Sequence, residues 1–179
     1  MSNRMILPDL GSVRSDGSDR PDRHRGGVKK PKTLPRIRVA AIIMRGRSIL
    51  LARHERDGTS YWLLPGGGVD YGETLEAALV RELKEEASLD IRVQRLVLVN
   101  DSIPPDQHRH IVNVCFTAEI IGGKLAVGQD DTRLVDMKFV SIARLPRLTF
   151  YPDIRETLVR SLDEDFSNAP GYLGNLWRD

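Results

Sequence analysis

From Ile37 onward the chain falls into a rhythm of apolar and polar positions. IRVAAIIMRG is an apolar, β-branched run that predicts a buried strand ending at Gly46. SILLAR, after Arg47, predicts its hairpin partner. YWLLPGGG predicts a short strand that runs into a glycine turn, and Asp70, Tyr71 and Gly72 continue the loop. Leu75, Leu79, Leu83 and Ala87 then recur at helical spacing and predict a helix that starts at Glu73 or Thr74. IRVQRLVLVN, from about Ile91, predicts a strand. Pro104 and Pro105 interrupt it, making SIPPDQHRH a loop. HIVNVCFTAEI predicts a long returning strand, stopped by Gly122-Gly123. A loop through Gly128 and Asp131 leads to the strand VDMKFVS. Pro152 to Leu162 predicts a second helix with Ile154, Leu158 and Leu162 on one face. Strands before and after one helix, with a helix at the end, predict an α+β or α/β sandwich. No internal repeat is present.

The first helix carries the most informative chemistry. Successive helical residues turn by about 100°, so Glu82, Glu85 and Glu86 fall within one arc of about 100°. The buried stripe lies on the adjoining arc, which puts the carboxylates at the border of the core. Carboxylates this close repel one another unless cations or protons intervene. Mg²⁺ takes oxygen ligands, keeps several waters, and is often held by one or two carboxylates plus substrate phosphates. The alternative is a solvated helix face with ordinary ion pairs, such as Arg81 with Glu85. The glycine turn and Glu73 at fixed distances before the helix argue against that alternative.

Gly67, Glu73, Arg81, Glu82, Leu83, Glu85, Glu86 and Leu89 stand at fixed offsets in GGVDYGETLEAALVRELKEEASL. This segment resembles the Nudix box, G-x5-E-x7-R-E-U-x-E-E-x-G-U with U apolar, except that Ser88 stands where the pattern has its second Gly. Chance would produce the match in such a chain with a probability on the order of 10⁻⁵. The resemblance covers roughly Ile37 to Leu162. It implies a Nudix-like α/β/α sandwich, with a mixed sheet between helices, over a domain at 36–165. It also implies a hydrolase that breaks a P–O bond of the diphosphate in a nucleoside diphosphate linked to a further group X. Carried over, Gly67 (through its carbonyl), Glu82, Glu85 and Glu86 become ligands of Mg²⁺, with Mn²⁺ as the alternative. Arg81 orients a carboxylate, and Glu73 supports it or helps to cap the helix. The general base in this family is a box glutamate or an acidic loop residue. The loop here offers Asp130 and Asp131, so the catalytic set is Glu85, Glu86, Arg81, Asp130 and Asp131. Glycine at position 88 would permit a left-handed helix end; Ser either adopts it at a cost of about 1 kcal/mol, or the turn takes another geometry.

Substrate choice lies outside the box. Arg53, Tyr61 and Arg109 are the candidate substrate-binding residues, and Tyr61 could stack on a base. Pro105, sixteen residues after Leu89, resembles a feature of ADP-ribose-cleaving members. The sequence SQPWPFPxS, tied to NADH cleavage, is absent. Nucleoside triphosphates, ADP-ribose and dinucleoside polyphosphates all stay open. Gly66–Gly68 is not a Walker loop, because no Gly-Lys-Ser/Thr follows.

Charge and composition sharpen the domain picture. Of the 179 residues, 1–36 hold nine Lys/Arg against four Asp/Glu, and the rest hold eighteen against twenty-one. The domain is mildly acidic and residues 1–35 read as a basic, flexible tail with little to bury. Residues 166–179 read as a polar C-terminal extension. Cys115 is the only cysteine and lies in an apolar run, which suits a buried small hydrophobe in a reducing cytoplasm. No apolar run reaches the ~18 residues of a membrane span, and the start lacks a signal peptide's apolar stretch. The expected partners are a small-molecule nucleotide and, from the resemblance, a second copy in a homodimer. Two rival readings remain. One is a catalytically silent Nudix-like nucleotide sensor; the other is an RNA 5′-pyrophosphohydrolase whose tail contacts the backbone.

Overall fold

The computed structural model describes residues 34–128, 131–162, 164, 166–169 and 171–177. The expected tail and Asp130 therefore lie outside the described residues, apart from Leu34 and Pro35.

The chain forms β1 (Arg36–Ile42), β2 (Met44–Arg45), β3 (Ser48–Arg56), β4 (Thr59–Leu63), α1 (Leu75–Ala87), β5 (Leu89–Ser102), β6 (Ile111–Gly123), β7 (Leu134–Ser141), a 3₁₀ turn at Ile142–Arg147, α2 (Arg155–Leu162) and β8 (Gly171–Asn175). Two sheets lie between the helices. One is mixed, in the order β1-β6-β5-β8, with β1–β6 and β5–β8 parallel and β5–β6 antiparallel. The other is antiparallel around β3: Ala52 pairs with both Leu63 and Met137, so β4 and β7 take opposite edges.

Alternation along the strands builds two cores. Val39, Ala41, Leu50, Ala52, Val114 and Phe116 face α1 and pack with Ala78, Leu79, Leu83 and Ala87. Ala40, Ile42, Ile49, Leu51 and Cys115 face the other way and pack with Ile154 and Leu158 by α2. This is the expected α/β/α sandwich, with the middle layer split into two sheets. Cys115 is 2% exposed, and burial pushes its thiol up to about 12.

Three elements differ from the sequence expectation. The run 37–46 divides at Ile43. Only Met44–Arg45 pairs with β3, because the chain crosses there from one sheet to the other. The hairpin following β3 turns at Asp57-Gly58, with φ of 51° and 75°, a two-residue turn that suits the strand twist. Residues 171–175, expected to be polar extension, form β8 along β5.

Candidate active site

The helix that carries the glutamates is fixed at both ends. Thr74 is the N-cap, and its hydroxyl accepts the Ala77 N–H at 3.1 Å. Ser88 closes the C-terminus in the left-handed region at φ 56°, its N–H directed at the carbonyls of Leu83 and Lys84. The next loop reinforces that end. Ala126 and Gly128 donate their N–H groups to the carbonyls of Ala87 and Glu86. Gly128 lies so close that a Cβ there would stand 2.2 Å from the Glu85 carbonyl oxygen.

Arg81 is the hub of the site. Its Nε and one terminal nitrogen donate to the two carboxylate oxygens of Glu73 at 3.0 and 2.9 Å. The same terminal nitrogen reaches the Gly68 carbonyl at 3.0 Å. The other terminal nitrogen donates to Glu82 at 2.9 Å and Glu85 at 3.2 Å. These acidic partners raise the Arg81 pKa further, so it stays charged. Glu73 also accepts from Asp70 N–H, which ties the loop before the helix to the same arginine.

The glycine turn lies against β1. Val39 N–H donates to Gly67 O at 2.9 Å, and Arg38 donates to the carbonyls of Leu64 and Gly66 at 2.9 and 2.7 Å. A Cβ on Gly67 would fall 2.1 Å from a Glu82 carboxylate oxygen, so glycine there lets the carboxylate close onto the turn. Gly66 N–H donates to Glu86 at 3.2 Å. Burial pushes the Glu86 carboxyl up to about 7, against the opposing pull of Arg38. Burial in turn lowers the Arg38 pKa.

Arg38, Gly66, Gly67, Glu82, Glu85 and Glu86 line a cleft of about 880 Å³ with Arg36, Tyr61, Arg109, Asp131 and Trp177. The NUDIX domain family model matches residues 34–161. The chain belongs to the Nudix family. It is 37% identical to an ADP-ribose pyrophosphatase from Methanocaldococcus jannaschii over 65% of this chain and 68% of that protein. It is 36% identical to the NAD-capped RNA hydrolase NudC of Pectobacterium carotovorum over 66% of this chain. The chain spans less than half the length of the NudC relatives it matches, 42% in that case. Among solved structures, an ADP-ribose pyrophosphatase from Streptococcus suis superposes with TM-score 0.56 at 28% identity, covering 79% of this chain and 98% of the other. A MutT NUDIX hydrolase from Burkholderia pseudomallei gives 0.54 at 32% identity, covering 62% and 86%. The chain is a Nudix hydrolase with the pyrophosphohydrolases among its relatives.

The Nudix helix and turn bring Gly67, Glu82, Glu85 and Glu86 to one side of the cleft. Among the described residues no three acidic, histidine or cysteine side chains converge closely enough to enclose a cation. The donor set nonetheless fits Mg²⁺, which needs only one or two carboxylates when water and phosphate fill its other positions. Glu86, largely buried yet lining the cleft, offers one such carboxylate. Gly67 O spends one lone pair on Val39 and keeps the other.

The remaining expected residues divide. Asp131 joins the cleft from the β6–β7 loop, gripped by Arg133 at 2.9 and 2.7 Å, and that pairing holds its carboxyl down to about 2. Tyr61 lines the cleft between His54 and Tyr151, with ring centroids at 5.8 and 5.5 Å. Arg109 lines it at the other end. Arg53 does not line it: strand alternation turns Arg53 away from the face His54 uses, toward Asp136 at 3.9 Å. Pro105 is exposed and outside the cleft lining. Sequence reasoning missed Arg38, Gly128, Arg133 and Trp177 as parts of the site. Arg38 did leave a signal, being a charge just ahead of an otherwise buried run.

Proposed function

We propose that this Nudix hydrolase is a Mg²⁺-dependent pyrophosphohydrolase acting on a nucleoside diphosphate linked to X, with ADP-ribose-type compounds as its substrates. The observation that carries the reading is the Arg81-centred set of glutamates closing on the glycine turn beside the cleft. Names of relatives support the substrate class, since an ADP-ribose pyrophosphatase is among both the sequence relatives and the structural neighbours.

In this reading Glu82, Glu85 and Glu86 hold the metal, with Gly67 O beside them. Bound there, Mg²⁺ (or Mn²⁺) supplies charge neutralisation for the diphosphate and acidifies water. Arg81 sets the directions of Glu82 and Glu85, and Glu73 holds Arg81 in place. Arg38 fixes the turn whose backbone faces Glu86. A water oxygen bonds to one phosphorus, the bridging P–O bond breaks, and two phosphate monoesters leave. We assign proton acceptance to the helix glutamates rather than to Asp131. A carboxylate held at about 2 by Arg133 is a weak base. Asp131 then serves as a cation-facing group on the opposite wall.

A second reading, hydrolysis of an NAD-type cap on RNA, is favoured by the NudC relatives. Against it stands the absence of SQPWPFPxS from this chain. A cytoplasmic homodimer belongs to the same proposal, and sedimentation of the purified chain tests the dimer.

The deciding experiment is Mg²⁺-dependent product release over ADP-ribose, nucleoside triphosphates, dinucleoside polyphosphates, NADH and NAD-capped RNA, with Glu86→Gln as control. Turnover of ADP-ribose, lost in the variant, is the expected result. Nucleotide binding without turnover of any compound would replace the hydrolase with a sensor.

A further inference from the structure

The cleft has two unlike walls on either side of the glutamates. One comes from β3, β4 and the β6–β7 loop and carries His54, Tyr61, Asp131 and Arg133. The other comes from β1, the β5–β6 loop and the end of β8, and carries Arg36, Arg109 and Trp177. We propose that the second wall is the nucleobase subsite, with Trp177 and Arg109 as a stacked platform for the base. This rests on the Nudix hydrolase reading of the same cleft and names which half of the substrate goes where.

Four observations carry it. First, the Arg109 guanidinium lies over the Trp177 ring at 4.8 Å, and His108 meets the ring edge-on at 6.3 Å. A planar cation over an indole presents a flat, polarisable surface of the kind that binds bases irrespective of their identity. Second, the segment carrying Trp177 is held rigidly. Leu176 N–H donates to Asp101 O at 2.9 Å. Asn175 both accepts from Ile103 N–H at 2.9 Å and donates to Ile103 O at 3.0 Å. The Asn175 carboxamide oxygen also accepts the Trp177 N–H at 3.2 Å. β8 therefore has a use beyond packing, since it delivers an aromatic side chain to the cleft.

Third, charge leads from the platform to the glutamates. Among the described residues Arg109 has no carboxylate partner, and Arg36 stretches back until its guanidinium would lie 3.3 Å from a Cβ on Gly68. An α-phosphate joined to a base on the platform would meet Arg36 on its way to the metal ligands. Fourth, among the described residues no cation lies over a ring of the opposite wall. Tyr61 meets Tyr151 at 69° and His54 at 50°, and Arg133 is spent on Asp131. That wall suits the polar X group.

The test combines binding and kinetics in the full-length chain. AMP and ribose 5-phosphate are titrated into wild type and Trp177→Phe while tryptophan fluorescence is followed, with Trp62 present in both. AMP is expected to quench wild type and to leave the variant nearly unchanged, with no quenching by ribose 5-phosphate. In kinetics on the nucleotide that is turned over, Trp177→Ala and Arg109→Ala should raise KM about tenfold and lower kcat by less than about threefold. Trp177→Phe keeps an aromatic plane and should recover most of the lost KM. Absent AMP quenching, together with unchanged KM in Trp177→Ala and lost turnover in Glu86→Gln, overturns the platform while the hydrolase reading stands. A KM defect in Tyr61→Ala but not in Trp177→Ala overturns it equally and moves the base to the other wall. AMP quenching without turnover of any nucleotide upholds the platform and overturns the hydrolase reading instead.

Discussion

Ser88 and Gly67 show how single residues set helix geometry and chemistry separately. Ser88 holds φ 56° without glycine's freedom, so Ser88→Gly should stabilise the protein by about 1 kcal/mol, read as a raised urea midpoint at constant slope. Catalysis should not change, because the glutamates precede the cap. Gly67→Ala should do the reverse. Its new methyl meets the flexible end of Glu82, which yields, so Tm should hold while kcat falls. Glu85→Gln or Glu86→Gln should cost at least about a hundredfold in kcat with the circular dichroism spectrum intact. Asp131→Asn should cost less than about tenfold, because its salt-bridged carboxylate is a weak base. Equal losses in all three variants would return the base to Asp131.

At the scale of elements, α1 works because two loops hold its ends. Glu73 links the loop before it to Arg81, and residues 126–128 donate to its last carbonyls. Gly128 is the tighter constraint of the two, since backbone rather than a mobile side chain blocks a Cβ there. Gly128→Ala should therefore destabilise by about 1–3 kcal/mol and lower kcat as well, because the same loop carries Asp131. A thermal melt beside a kcat measurement checks both. The contrast with Gly67→Ala, which should leave Tm unchanged, is the informative comparison.

For the whole molecule, Glu86 couples stability to pH and to metal. Its carboxyl is raised from an ordinary value near 4.5 to about 7 in the folded chain. Between those values the folded protein binds more protons than the unfolded one. Its contribution is thus fully present below about 4.5 and is lost as pH rises through about 7. Without metal, Tm should decline over that window, and Glu86→Gln should flatten the decline. Adding Mg²⁺ should raise the Tm of wild type more at pH 8, where Glu86 is ionised, than at pH 5. An equal Mg²⁺ effect at both pH values would remove Glu86 from the ligand set.

The helix, its buried stripe and the carboxylates beside it were legible because they are local. Residues three and four apart share a face whatever the rest of the chain does, so Arg81, Glu82, Glu85 and Glu86 could be placed from spacing alone. The box offsets likewise named the family, and the apolar runs marked most of the strands. Sequence alone did not determine which strands pair. IRVAAIIMRG reads as one strand, yet it serves two sheets, because register is decided by distant partners such as β6. Nor could it show that Arg38 braces the glycine turn, that Gly128 closes on Glu85, or that Arg53 faces away while His54 faces in. Each of those depends on backbone approach between segments far apart in the chain. The Arg109–Trp177 pair is the clearest case. The two residues stand 68 positions apart, and only the parallel pairing of β8 with β5 brings the indole under the guanidinium.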